Sequence, residues 1–544
     1  MNLVVSLSMK TVMNYIRQSG PIIFVGVPLI LGIVYAIHNT DTHHWWFILG
    51  TALDYHQGRS FFTEVYVQYG LGINYIIHFL GKFIPITYSN PGIFMSIIYS
   101  GTLLLIYLSM RQISSVAISS MISLLALLIH PYSIYPWPDY LAGFTLALAV
   151  YILVKYSKIN YVVYFIIGAL FFLSFLFRST YIINIAATGG LFFICNIFNK
   201  RLFHPGIYCS YLVFLFCIGI YLSILYYQGN AAFWYAQAIG AAGKSYGVNS
   251  MSGLSLLKNI ANPNMVETFI FSGLFLFCLI FVAFGVFVRS FIDVTSDSNG
   301  RVIPVIVFLS ILGITGFVQC TMIFEVFRLQ NACSPLFVSS AFWLHLLSSR
   351  YDFSMYNFQI RSLAAVLILM VVINFPAQLA GKWGSTYWPI IEPPFLSNWK
   401  KYVTISSIPI FTGHRLMPDV ELYYSGLANK ICEKSGQVVN LTRDPLIPYL
   451  CGYSKSALFL PMFSEKLIEN ISPSQLIRIR QGRFRKGELI VYEETSDKDQ
   501  MLISIFKKTD STVNLCKLGE WVRPKSIRWL TTTRVSLYES LSGY

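Results

Sequence analysis

The chain has 544 residues, of which 55% are hydrophobic and only 12% charged, about half the charged fraction usual in soluble domains. Together with a mean hydropathy of +0.60, this excludes an ordinary soluble enzyme and implies a polytopic α-helical membrane protein. The net charge of +15 does not imply a nucleic-acid partner, because no dense basic patch is interleaved with exposed aromatics.

In chain order, apolar runs suited to spanning fall at 21–37, 92–110, 114–129, 141–154, 161–177, 181–198, 206–226, 269–288, 302–319, 333–347 and 362–380. They predict about eleven transmembrane helices. Lys10 and Arg17 precede the first run and no small-residue cleavage site follows it, so that run reads as an uncleaved span. With the N-terminus inside, the cytoplasmic loops hold Lys10, Arg17, Arg111, Lys155, Lys158, Lys200, Arg201, Arg289, Arg301, Arg350 and Arg361. The outer loops hold Arg59, Lys82, Arg178, Lys244, Lys258 and Arg328, which is the asymmetry that fixes orientation in a bacterial inner membrane. An odd span count then places everything after residue 380 in the periplasm. The long segments (39–91, 130–139, 228–267 and the tail) all fall on that outer side, so function is sought there.

Residues 1–380 thus form the transmembrane domain, and 381–544 a small soluble α/β domain on the periplasmic side. Within the latter, 419–435 reads as an amphipathic helix, 446–452 as a short helix, and 437–441, 488–492 and 501–506 as strands. The tail holds neither a Gly-rich phosphate loop nor catalytic spacing, which suits a lid or an acceptor-binding domain. Most of the cysteines, Cys195, Cys209, Cys217 and Cys278 among them, lie in apolar runs as buried thiols. A tail outside the cytoplasm permits one disulfide among Cys432, Cys451 and Cys516; Cys432 with Cys451 is the favoured pairing, although sequence does not fix connectivity.

The first outer loop, 38–91, gathers Asp41, Asp54 and Glu64 with His43, His44 and His56, although residues 1–380 contain only 9 Asp and Glu in all. Carboxylates are costly to hold at a membrane surface, which marks this loop as the candidate catalytic segment. Plainer readings stand beside that one. Asp41 suits the N-cap of a helix over 45–55, Asp54 suits an ion pair with Arg59, and His43, His44, Trp45 and Trp46 suit the headgroup level.

The ordered residues His43-His44, Ala52-Leu53-Asp54, Gly58, Phe61-Phe62, Glu64 and Gln68-Tyr69-Gly70 resemble the first outer loop of GT-C glycosyltransferases. The likeness is strongest to bacterial membrane proteins encoded with O-antigen and other surface-polysaccharide genes. It covers about 35 residues by motif spacing; beyond them only the layout is shared, many spans followed by an outer C-terminal domain. Where that pattern has Asp-Gly after the histidines this chain has Trp45-Trp46, which shifts the missing acid's role to Asp41, the position just beyond the first span.

The resemblance implies a sugar transferase that takes its donor from a polyprenyl phosphate and passes the sugar to a lipid-linked glycan such as O-antigen. Such transfer needs a base for the acceptor hydroxyl and cationic groups for the departing phosphate. Asp41 is the expected base, with Asp54 and Glu64 as the other catalytic candidates. His43, His44 and Tyr69 are candidate substrate contacts, and Arg178, Lys244 and Arg328 candidate phosphate ligands; Arg328 also suits a pair with Glu325. No metal site and no definite cofactor is assigned. A divalent ion on His43, His44 and Glu64 is the minor option, since adjacent histidines do not share a helix face. The rival classes are a transporter or flippase, expected to show charges inside spans and inverted repeats, and a polysaccharide polymerase, expected to concentrate its working residues in a late outer loop.

Overall fold

The fold is taken from a computed structural model. It describes residues 21–22, 24–38, 42–65, 67, 69–128, 136–156, 160–240, 302–321, 334–350, 404–457, 478–479, 481–493, 504–507, 514–525, 527 and 533–543. The expected spans over 269–288 and 362–380 lie outside these residues.

The first part is a helix bundle. Its helices are α1 (Phe24–His38), α2 (Thr42–His56), α3 (Leu71–Gly81), α4 (Ser89–Ile113), α5 (Val116–Leu128), α6 (Pro138–Lys155), α7 (Tyr161–Phe177), α8 (Tyr181–Phe198), α9 (Pro205–Tyr227), α10 (Val302–Thr321) and α11 (Ser334–Arg350). Proline at the first turn sets the starts of α6 and α9, where a missing N–H costs nothing. The Asn160 side chain caps α7 by accepting from the Val162 N–H at 3.1 Å. Among the described residues, four helices, α4, α6, α8 and α9, are long and apolar enough to cross a membrane, and the expected total of eleven includes spans that lie outside them. α3 had no counterpart among the expected elements; it lies inside the segment read as an outer loop, where a helix of 11 residues is too short to announce a span.

Close approach holds the bundle together. A side chain on Gly168 of α7 would strike the Ser210 carbonyl of α9, and one on Gly206 would strike the Tyr164 ring, so small residues let the backbones meet. Buried hydroxyls tie helices across the core: Thr145 to Ser174 at 2.8 Å, and Thr315 to Asn184 at 2.6 Å. On α7, α8 and α9, Phe165, Ile183, Phe193, Leu215 and Phe216 remain exposed, as befits surfaces that meet lipid. Cys195, Cys209 and Cys217 are half-buried on these helices rather than fully enclosed.

All six described strands belong to residues 404–540. The pair β1 (Thr404–Ile405) and β2 (Arg415–Leu416) is antiparallel, and a four-stranded sheet follows the order β3 (Val438–Leu441), β4 (Leu489–Glu493), β6 (Arg534–Ser540), β5 (Leu515–Val522). β3 and β4 run parallel; β6 is antiparallel to both β4 and β5. Helix α12 (Pro418–Cys432) buries Val420, Tyr424, Leu427 and Ile431, a spacing of three or four that makes one continuous stripe. Its end is tied by a disulfide between Cys432 and Cys451, with Cα atoms 5.6 Å apart, and Cys516 stays a free, exposed thiol.

Of the strand expected over 501–506, residues 504–506 are helical instead, within a turn over 504–507, and 501–503 lie outside the described residues. Ile505 is buried while its neighbour Phe506 stacks on Tyr492 at 3.9 Å, and consecutive residues of a strand point to opposite faces, so a helical turn is needed to bring both to one core. That core also takes in Tyr35, Ala36, Leu49, Leu53 and Tyr88. The end of α1, the body of α2 and the start of α4 therefore pack against the C-terminal part, with a backbone bond from Tyr88 N–H to the Ile410 carbonyl at 2.6 Å.

Candidate functional site

The first loop is fastened at three places, and its motif residues divide among them. The first is the end of α2. Asp54 is almost fully buried, and its carboxylate accepts hydrogen bonds from Arg59 Nη1 at 2.9 Å, Tyr449 OH at 3.3 Å and Ser454 Oγ. Arg59 also donates from Nη2 to the Ser456 carbonyl at 2.7 Å. Burial pushes the Asp54 pKa up to about 6, while Arg59, Ser454 and Tyr449 each pull it down. The ion pair with Arg59, one of the two sequence readings of this acid, is formed. Its partners span two distant parts of the chain, so Asp54 ties the loop to the C-terminal part. Gly58, at φ +86°, gives the left-handed turn that folds Arg59 back onto Asp54.

The second fastening is the turn 60–65. The Glu64 Oε2 accepts from the Ser60 N–H at 2.8 Å, and the turn closes through Ser60 O with the Glu64 and Val65 amides, each at 3.0 Å. Glu64 itself is exposed. Phe61 stacks on Tyr55 at 3.9 Å. Phe62 is buried and is the only non-glycine with positive φ among the described residues, at 66°, a conformation that neighbouring contacts must enforce. Gln237 enforces it: fully buried, it donates from Nε2 to the Phe62 carbonyl at 2.9 Å and accepts at Oε1 from the Val67 N–H at 3.0 Å. Sequence reasoning missed Gln237, because one glutamine between Ala236 and Ala238 carries no signal without the backbone it serves.

The third fastening is at Tyr69-Gly70. The Tyr69 carbonyl accepts from Ser179 twice, from the N–H at 3.1 Å and from Oγ at 2.6 Å. A Cβ on Gly70 would fall inside the contact distance of the Leu176 and Phe177 carbonyl oxygens. Only glycine lets the strand-like loop lie this close to the last turn of α7. The consequence is that Arg178, which ends α7, sits over the Tyr69 ring with Cζ 4.3 Å from its centroid. Trp137 meets the same ring edge-on at 4.8 Å. Asp139, in the first turn of α6, completes the group with its Oδ2 3.6 Å from Arg178 Nε, both side chains 3% exposed. Tyr69 and Arg178, picked separately from the sequence, are thus brought together; Asp139 and Trp137 were not anticipated, since an acid beside Pro138 reads as an ordinary helix start.

Asp41, Lys244 and Arg328 lie outside the described residues. The backbones of His43 and His44 belong to the first turn of α2, and their side chains are likewise outside the description. For a divalent ion, Glu64 is engaged with Ser60, and no group of three His, Cys, Asp or Glu gathers among the described residues.

No family model matches the sequence, and no curated protein matches it. Among solved structures, the fold is similar to ArnT from Cupriavidus metallidurans in the apo state, with 12% identity over 95% of this chain and 97% of that one and a TM-score of 0.49. It is also similar to the archaeal oligosaccharyltransferase AglB from Archaeoglobus fulgidus, in complex with an inhibitory peptide and a dolichol-phosphate. That match has 11% identity over 88% of this chain and 70% of that one, at a TM-score of 0.48. These neighbours are GT-C glycosyltransferases. Overlaps this loose assign no function, which has to be read from the residues themselves.

Proposed function

We propose that this chain is a GT-C type glycosyltransferase that moves a sugar from a polyprenyl-phosphate-linked donor to a lipid-linked glycan such as O-antigen. The reaction takes place at the periplasmic face of a bacterial inner membrane, with residues 1–380 as the transmembrane domain and 381–544 as a periplasmic domain. The observation that supports it best is the seating of Arg178 on Tyr69: a buried guanidinium, aimed by the loop motif, at one end of a bundle of apolar helices. A guanidinium there suits a phosphate held at headgroup depth, where the charge of the leaving group develops. The Cys432–Cys451 disulfide is what an oxidising compartment allows. The C-terminal part packs on α2 and the start of α4, so it shares a face with the loop.

In this reading Asp41 takes the proton of the acceptor hydroxyl as its oxygen attacks the anomeric carbon. The bond from that carbon to the phosphate oxygen breaks, and Arg178, with Lys244 and Arg328 as further candidates, receives the polyprenyl phosphate. His43 and His44 are left to contact the substrate. The decisive experiment is sugar transfer from a polyprenyl-phosphate donor to a lipid-linked acceptor by purified, detergent-solubilised protein. Asp41→Asn keeps a capable helix cap, so loss of a cap predicts near-silence, whereas loss of a general base predicts roughly a 10²- to 10⁴-fold fall in transfer. A wild-type protein that carries lipid-linked glycan across vesicles but transfers no sugar would show a transporter instead.

A further inference from the structure

The pair formed by Arg178 and Asp139 is under-bonded. At 3.6 Å the Nε to Oδ2 separation is too long for a hydrogen bond, and neither atom has a hydrogen-bond partner among the described residues. Both side chains are almost completely buried. A buried carboxylate or guanidinium with open hydrogen-bonding capacity is costly, and native proteins seldom tolerate two together unless a further group completes them. A guanidinium has five N–H donors, and the contact with Asp139 is made through Nε, which leaves the N–H groups of Nη1 and Nη2 for further acceptors. Asp139 is placed by Pro138 at the first turn of α6, Arg178 by the end of α7, and the two helices pack side by side. The orientation of the guanidinium is therefore set by α6 as well as by the loop.

We propose that Asp139 is a positioning residue: it anchors the Nε edge of Arg178 and thereby turns the remaining N–H donors toward an oxyanion, the phosphate of a polyprenyl phosphate. This rests on the reading of Arg178 as the donor-phosphate ligand. It adds a residue that acts through Arg178 and does not itself touch the reacting atoms. The position of Asp139 also explains the loose contact. A tight bidentate pair would take up one donor edge and neutralise the cation, while a single long contact through Nε leaves the Nη1/Nη2 fork for phosphate.

The test uses the full-length protein in detergent and reads two quantities separately: binding of a polyprenyl monophosphate that carries no sugar, and sugar transfer. Asp139→Asn should weaken binding of the monophosphate and raise the donor KM by about 10- to 100-fold with a smaller change in kcat. Asp139→Glu, which keeps the anchor, should recover most of the binding. Because Asp139→Asn leaves a buried cation unpaired, failure to fold has to be separated from lost binding, and the double variant Asp139→Leu with Arg178→Met is the control. Replacing a buried ion pair by apolar residues is often neutral for folding, so this variant should stay folded and lose monophosphate binding. If it binds and transfers like the wild type, or if Asp139→Asn does so while folded, the pair is only a packing element and the proposal falls. If the wild type binds the monophosphate through this pair but transfers no sugar, the positioning role stands and the glycosyltransferase reading falls.

Discussion

Two buried acid–arginine pairs hold the ends of the first loop, and they differ in one respect. Asp54 has its oxygens taken up by Arg59, Ser454 and Tyr449, and Arg59 goes on to the Ser456 carbonyl. Asp139 and Arg178 face each other at 3.6 Å with Nε and Oδ2 unsatisfied by described residues. A satisfied pair between distant segments fixes how they dock. An under-bonded one leaves the other donors of its guanidinium open to a further acceptor. The difference moves attention from Asp54, an acid of the sequence motif, to Arg178, a cation outside it.

The comparison breaks most readily at Asp54→Ala. Removing this carboxylate leaves Arg59 and two hydroxyls buried without their acceptor, so unfolding should become easier by roughly 3–5 kcal/mol. Thermal or denaturant unfolding of the detergent-solubilised protein measures it. A variant of unchanged stability that has lost transfer would return Asp54 to the catalytic residues.

A second, smaller effect follows from proton linkage. The folded-state pKa of Asp54, about 6, lies above its ordinary value of 3.8, so between those values the folded chain holds a proton that the unfolded chain has released. Stability attached to this group is therefore full below about pH 4, falls as pH rises through about 6, and is constant above; a two-unit shift is worth at most about 3 kcal/mol. The check is the difference in unfolding free energy between wild type and Asp54→Asn at pH 4.5 and pH 7.5. The wild type should lose stability relative to the variant on going to the higher pH, and a difference of the opposite sign would mean the ion pair with Arg59 outweighs burial.

The smallest effect is expected at Glu64. Its carboxylate is exposed and accepts one backbone N–H within a tight turn, so Glu64→Gln, which keeps an acceptor oxygen, should alter stability by less than about 1 kcal/mol. Transfer rates for this variant sharpen the contrast. A loss beyond tenfold at unchanged stability would make Glu64 a working acid rather than a turn-former.

Several motif residues turn out to serve the fold, and their reasons were not visible in the chain. Gly70 is required by the carbonyls of Leu176 and Phe177, more than a hundred positions away. Phe62 holds its positive φ because Gln237 grips both sides of the turn. Spacing within the loop could mark these positions but not say what they were for.

What the sequence determined by itself was whatever depends on local composition and period: apolar helices, the stripe that makes α12, the strands β3 and β4, and the candidate disulfide between Cys432 and Cys451. These follow from residues near one another in the chain, where hydrophobic period and turn chemistry act directly. It missed α3, an 11-residue helix inside a segment read as an outer loop, and it missed β6 and its partner β5, an edge strand whose exposure pattern is irregular around a bulge between Lys517 and Gly519. It also misread 501–506, because the choice between strand and helical turn lay with Tyr492, against which Phe506 stacks. Only the tertiary structure decided which acid meets which arginine, since burial, desolvation and unfilled hydrogen-bonding capacity are properties of a packed environment and have no value until distant segments are brought together.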